Sequence, residues 1–237
     1  MDSYRKYLAE HIGVKLTFKI MEDISRFEEI LLDWNHRINL TRITDSREIQ
    51  IKHFVDSLMS FKILPNQGEI SLIDVGTGGG FPGIPLLIVN PSIKLTLADS
   101  VRKKIEFCRT AVDTLGFPDV NTIHARAEDL GRDNTHRERY DWAVARAVAP
   151  LNQLCEFLLP LVHVGGGMIA LKGSSIEEEL NQAEKAITTL GGKVFGIHTV
   201  ELPEKMGTRS LIHITKIKPT PAKYPRKAGT PRKSPLV

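Results

Sequence analysis

The sequence predicts an α/β protein built on a seven-stranded, mainly parallel sheet, and three observations carry that reading. From Ser71 onward, short apolar runs alternate with longer helical ones, the pattern of βαβ units whose sheet is covered on both faces. The first apolar run, Ile70-Ser-Leu-Ile-Asp-Val75, ends in Gly76-Thr-Gly-Gly-Gly-Phe-Pro-Gly83, a turn that holds five glycines. Ahead of the alternation, apolar residues recur at three- and four-residue steps, the mark of packed amphipathic helices.

The elements follow in order. Residues Tyr4 to Ile38 read as helical, with Ile20, Ile24, Phe27, Leu31 and Trp34 on one face and Glu22, Arg26, Glu29 and Asp33 elsewhere on the wheel. Asn39-Leu-Thr-Arg-Ile-Thr-Asp-Ser46 suits caps and turns, and a second helical stretch runs from about Ser46 to Phe61. The expected strands are Ser71 to Val75, Lys94 to Ala98, Asn121 to His124, Trp142 to Ala145, Met168 to Leu171, Lys193 to Val200 and Ser210 to Lys216. Between them, helices are expected over Pro82 to Asn90, Val101 to Leu115, Leu151 to Leu159 and Ile176 to Leu190. Ser175 with Glu178 forms a capping box for the last of these. Gly131 to Arg139 is almost wholly polar and reads as a surface loop. The expected organisation is an N-terminal helical extension over residues 1–66, an α/β domain over 67–217 and a tail over 218–237.

At 237 residues, with 41% hydrophobic and 25% charged side chains, the chain is long enough to bury one substantial core. The start, Met1-Asp-Ser-Tyr-Arg-Lys, lacks a secretion signal and no stretch reaches membrane-spanning length, so a cytoplasmic location is expected. Cys108 and Cys155 fall among apolar neighbours and read as inert buried thiols, and no metal-ligand spacing occurs. The net charge of +4 divides into +7 on residues 216–237, which contain no acid, and −3 on the body. A proline-rich basic tail on a mildly acidic body points to local contact with a polyanion. The tail is expected to be an extended arm without helix, its cations meeting phosphates and Tyr224 stacking on a base.

Two ligands compete for the glycine-rich turn. Gly78-x-Gly80-x-x-Gly83 satisfies a dinucleotide fingerprint with Asp99 at the distance of a ribose contact, which would make the protein a nicotinamide-dependent oxidoreductase. Pro82 and Pro85, however, remove backbone N–H groups where a pyrophosphate would need them, and Asp74 would repel it. Asp74-Val-Gly-Thr-Gly-Gly-Gly80 instead resembles the first motif of S-adenosylmethionine-dependent methyltransferases, and Asp74, at the carboxyl end of the first strand, is placed to serve a cation or an amine.

Further blocks resemble one family, the bacterial small-subunit ribosomal RNA guanine-N7 methyltransferases, also called glucose-inhibited division protein B. They are Asn39-Leu-Thr41, Lys52-His-Phe-Val-Asp-Ser-Leu58, Asp74-Val-Gly-Thr-Gly-Gly-Gly-Phe-Pro-Gly-Ile-Pro85, Ala127-Glu128, Ala145-Arg-Ala147, Leu171-Lys-Gly173 and Tyr224-Pro-Arg-Lys-Ala-Gly-Thr-Pro231. They keep the family's order over nearly the whole chain. The resemblance implies a Rossmann-like class I methyltransferase fold, S-adenosylmethionine as cofactor and 16S ribosomal RNA or the small subunit as partner; separately, no metal and a monomeric enzyme are expected. It implies that Gly76 and Phe81 line the methionine and sulfonium part, that Ala127 and Glu128 border the adenine, and that Arg146 closes the site; Gly78 of the same turn is a further cofactor-binding candidate. Asp99 suits the ribose hydroxyls.

Guanine N7 carries an in-plane lone pair, so its methylation needs no proton removed and no catalytic acid or base is assigned. Holding the reactants in line can supply roughly 7 to 11 kcal/mol. The fourth strand agrees, ending in Ala145-Arg-Ala-Val-Ala-Pro150 rather than an Asn-Pro-Pro-aromatic box. Arg42, His53, Lys223, Arg226, Lys227, Arg232 and Lys233 are the candidates for RNA phosphate contact, although His53, taken by its helix alone, reads first as a satisfied histidine. A non-catalytic RNA-binding protein on the same fold is the remaining alternative.

Overall fold

The computed structural model describes residues 3–174 and 176–237. Strands β1 (Ile70–Val75), β2 (Ile93–Asp99), β3 (Asn121–His124), β4 (Tyr140–Arg146), β5 (Val162–Lys172), β6 (Gly192–Glu201) and β7 (Thr208–Lys216) form one sheet in the order β3-β2-β1-β4-β5-β7-β6. All seven predicted strands are present. β5 begins six residues earlier than expected, because Gly165, Gly166 and Gly167 carry no alternating apolar signal although Tyr140 pairs with Val162. Pairing is parallel from β3 through β5, and β7 runs antiparallel between β5 and β6.

The chain leaves β1 for β2 on one side and later returns to place β4 on the other. That reversal opens a crevice at the carboxyl ends of β1 and β4. Register brings the functional positions to one edge: Val75 lies opposite Ala98, and Asp74 opposite Val144.

The helical extension departs from expectation in one place. The single helix predicted over Tyr4 to Ile38 is two, α1 (Ser3–Ile12) and α2 (Phe18–Asn35). Gly13 takes φ +68°, a left-handed turn that stops the first helix, and Thr17 Oγ1 accepts from Ile20 N to start the second. The second predicted stretch is continuous over residues 46–62 but not uniform. α3 (Ser46–Ile49), capped by Asp45, passes into a π-helical segment over Gln50–Val55, then α4 (Asp56–Leu58) and a 3-10 turn over Met59–Lys62.

Alternation along the strands divides the core. Leu72, Leu97, Ile169, Leu171 and Leu211 face Phe27, Leu31, Phe54 and Leu58 of the N-terminal helices. Ile73, Val75, Ala143, Ala145, Met168 and Ile212 face the other way, onto Leu154 and Leu158 of α8 (Leu151–Leu158) and Ala183 and Ile187 of α9 (Glu177–Thr189). Burying one such Leu or Phe contributes about 1.5–3 kcal/mol, so the extension is held to the sheet by several of these. Helices α5 (Gly83–Val89), α6 (Arg102–Thr114) and the single turn α7 (Ala127–Leu130) complete the crossovers. Ser175 of the expected capping box lies outside the described residues. Cys108 and Cys155 are buried and unbridged, and burial pushes both thiols up.

The tail is not the free arm that its composition predicts. It lies along the body and ends in a helical turn, α10 (Thr230–Lys233), which Pro231 opens where a proline costs no hydrogen bond. Tyr224 and Pro231 are buried, so Tyr224 is not available to stack on a base. Arg226 donates its backbone N and its guanidinium to Glu156, a carboxylate 1% exposed. Arg137, in the loop expected to be plain surface, donates to the carbonyls of Thr220 and Tyr224. Prolines can pack as rigid apolar residues once a buried acid and an arginine tie the chain down, and composition does not report those partners.

Candidate active site

The glycine-rich turn is held by acids from behind. Gly76 N and Thr77 N donate to Ala98 O at 2.8 and 3.1 Å, which continues the β1–β2 ladder into the loop. Gly76 sits at φ +72°, and a Cβ there would lie 2.6 Å from Val148 Cγ2. Only glycine fits that position. Asp74 does not face the crevice, against the expectation that it serves a cation or an amine. It is fully buried, and its Oδ2 accepts from Thr77 Oγ1 at 2.8 Å and Gly83 N at 2.9 Å. Burial pushes its carboxyl up to about 6, opposed by those two hydrogen bonds. Since Gly83 N opens α5, the donor a pyrophosphate would need at that helix start is already spent on Asp74. The dinucleotide reading fails there.

Asp99, at the end of β2, accepts from Gly78 N at 3.0 Å and Val101 N at 2.9 Å. Each carboxylate oxygen has a second lone pair, so two acceptor sites remain for hydroxyls.

The opposite wall comes from the helical extension. The π-helical segment carries Lys52 and His53, and its wider turn is a recurrent feature of functional sites. His53 stacks on Phe81 with ring centres 4.7 Å apart, and its Nε2 lies 2.8 Å from Thr41 Oγ1. Arg146 Nη2, which only donates, reaches His53 Nδ1 at 3.3 Å, so the imidazole proton sits on Nε2. Burial, then the Arg146 charge, lowers the His53 pKa to about 3. A neutral histidine bonded on both nitrogens is no phosphate cation, so His53 leaves the list of RNA contacts and joins the crevice wall.

Arg146 ends β4 with its guanidinium 5.0 Å from the Phe81 ring centre. Its Nη1 donates to Asp56 Oδ2 at 3.2 Å, while Arg209 Nε lies 3.3 Å from Asp56 Oδ1. Asp56 is 3% exposed and thus bridges two arginines. The anion paired with Arg146 therefore belongs to the protein itself. Lys172 Nζ donates to Ala149 O at 2.6 Å and pins the loop after β4.

These residues enclose a cleft of about 710 Å³ that gathers Gly76, Gly78, Phe81, Asp99, His53 and Arg146. Arg42 is exposed between two residues of its rim, Thr41 and Ile43. Ala127 and Glu128 instead line an adjoining cavity of about 530 Å³, and Gly76, Ser100 and Val148 belong to both. Glu128 Oε1 accepts from Gly229 N at 2.8 Å, so one of its oxygens holds the tail. Arg232 lines this second cavity, whereas Lys223, Arg226, Lys227 and Lys233 line neither. Thr41, Lys52, Asp56, Lys172 and Arg209 were missed as site residues. Lys52 and Asp56, four apart on one helix, offered a faint signal; Arg209 offered none.

The family model described as rRNA small subunit methyltransferase G matches residues 20–211. The chain belongs to this family. Ribosomal RNA small subunit methyltransferase G of Alkaliphilus metalliredigens is 48% identical over 96% of the chain and 95% of its own length. The protein of the same name from Brevibacillus brevis is 45% identical over 95% and 94%. Among solved structures, TrmN from Thermus thermophilus superposes with a TM-score of 0.53 at 16% identity, over 69% of this chain and 49% of its own. A 16S rRNA adenine N1 methyltransferase from Catenulisporales acidiphilia gives 0.52 at 16% identity, over 65% and 88%. That likeness is one of fold, the Rossmann-like methyltransferase architecture with its seven-stranded sheet.

As a family member the protein is a methyltransferase that uses S-adenosylmethionine, and its crevice fits that cofactor. Gly76, Gly80 and Gly83 leave no room for a Cβ, two acids brace the loop, and Asp99 retains acceptors for hydroxyls. The same set repels a diphosphate and suits a cationic adenosyl ligand. Among the described residues no helix is long and apolar enough to cross a membrane.

Proposed function

We propose that the protein methylates N7 of a guanine in 16S ribosomal RNA, working in the cytoplasm as a monomer on an open, unpaired base. The cofactor supplies an activated methyl group. Gly76, Gly78, Phe81 and Asp99 would hold its methionine and ribose, and Ala127 and Glu128 its adenine. The observation that carries the reading is the composition of the cleft between the glycine turn and the helical extension. It sets Phe81 between His53 and Arg146 and fixes two arginines on Asp56, and among the described residues its histidine and that aspartate are already committed to partners.

His53 is neutral and bonded at both nitrogens, and Asp56 is committed to Arg146 and Arg209. An in-plane ring nitrogen requires no base, whereas an exocyclic amine or a ribose hydroxyl gives up a proton on methylation. Arg146 and Arg209 position the purine by its acceptor edge and neighbouring phosphates. The N7 edge of paired RNA lies in a deep, narrow groove, so the base must be displayed from a loop.

The test is transfer of labelled methyl from S-adenosylmethionine to small-subunit RNA purified from a strain lacking the protein. One methyl per RNA on a guanine, with strand cleavage there after reduction and aniline treatment, is the expected result. A methyl group on an exocyclic nitrogen or a ribose would refute the N7 assignment. No incorporation would favour the non-catalytic RNA-binding alternative.

A further inference from the structure

The C-terminal segment meets the predicted adenine residues in the smaller cavity. Gly229, turned by a φ of +84°, donates its N–H to Glu128 Oε1. Arg232, three residues on in α10, stands on the wall of the same cavity with Arg126, Gln153 and Phe157. The segment is fixed there by several independent attachments. Arg226 is anchored on buried Glu156, Arg137 gathers the carbonyls of Thr220 and Tyr224, and Pro225 packs against Gly131. A solvated arm that only sought phosphates would have no use for a buried glutamate partner.

We propose that the docked C-terminal segment is part of the cofactor site, with Gly229 and Arg232 forming the outer wall of the adenosine cavity. Arg232 offers a planar set of donors that matches the ring nitrogens of adenine and a flat cation that stacks on its face. Its role is therefore on the cofactor, in place of the RNA contact expected from the sequence. Glu128 serves both sides, one oxygen holding Gly229 and the other remaining for an amine donor. Because the segment also carries Lys223, Lys227 and Lys233, an RNA that moves it would change how tightly the cofactor is held.

The inference rests on the cofactor reading of the cleft, and amide hydrogen exchange on the full chain separates the two. Saturating S-adenosylhomocysteine is expected to slow exchange in residues 76–81 and also in residues 224–233. The second effect should be at least about fivefold, within the ceiling of about 100-fold for ligand at 100 times Kd. Slowing in residues 76–81 with no change in residues 224–233 would overturn the inference and leave the cofactor reading standing. Slowing in neither would remove both. Arg232→Ala, an exposed change that disturbs no core contact, should weaken S-adenosylhomocysteine binding by about three- to tenfold in calorimetry. Wild-type affinity for S-adenosylhomocysteine combined with weaker RNA binding would make Arg232 an RNA contact and overturn the assignment.

Discussion

Replacing Asp74 by asparagine should alter how stability depends on pH, in a direction and amount set by the environment of that carboxyl. The amide oxygen of Asp74→Asn can still accept from Thr77 Oγ1 and Gly83 N, so the glycine turn keeps its brace while the buried charge is lost. In the wild type, burial raises the Asp74 pKa from 3.8 to about 6. A raised carboxyl pKa means that the folded chain holds the proton more tightly than the unfolded chain does. Wild-type stability therefore falls as pH rises from the unfolded value through the folded one. The interval is about two pH units, at 1.36 kcal/mol each, or about 3 kcal/mol. Asparagine does not titrate. Any fixed cost of the new amide, such as its N–H group where Asp74 Oδ1 is buried without a partner, shifts the variant's curve uniformly. Relative to wild type, Asp74→Asn should thus gain about 3 kcal/mol between about pH 4 and pH 7. Urea unfolding at unit steps of pH, extrapolated to water, measures it. Two parallel stability curves would refute the account of a charged, desolvated acid beneath the loop.

Two further outcomes are expected. Arg146→Lys keeps the charge but cannot span Asp56, the Lys52 carbonyl and the Phe81 face at once, so kcat/KM should fall by about tenfold or more with unchanged circular dichroism. Replacing Lys223, Lys227 and Lys233 together by alanine should lower the slope of log affinity for RNA against log salt by about 2, read from filter binding at several salt concentrations. Arg226 is left out of that set because its charge is already committed to Glu156.

Much of the fold was legible because sheet and helix impose different periods. Each of the seven strands carries enough Val, Ile, Leu or Ala at its centre to announce itself, and the glycine turn after β1 marks the ligand edge by chemistry that no side chain can imitate. Failures occurred where one residue outweighs periodicity, as Gly13 does between α1 and α2, or where glycines hide a strand, as in the first half of β5. The glycine turn, Phe81, Asp99 and Arg146, singled out from sequence, share one cleft because motif and strand end coincide there.

What the sequence determined by itself is the alternating architecture, the family and the glycine turn, all of which depend on residues close to one another along the chain. Tertiary structure alone decided the partners. It turned Asp74 away from the crevice to brace the turn, made His53 neutral by setting it between Thr41 and Arg146, and brought Arg209 to Asp56. It also laid the basic tail against Glu128 and Glu156. Each of these results joins groups distant in sequence, and the charge or hydrogen-bonding state of a side chain follows from what surrounds it in space.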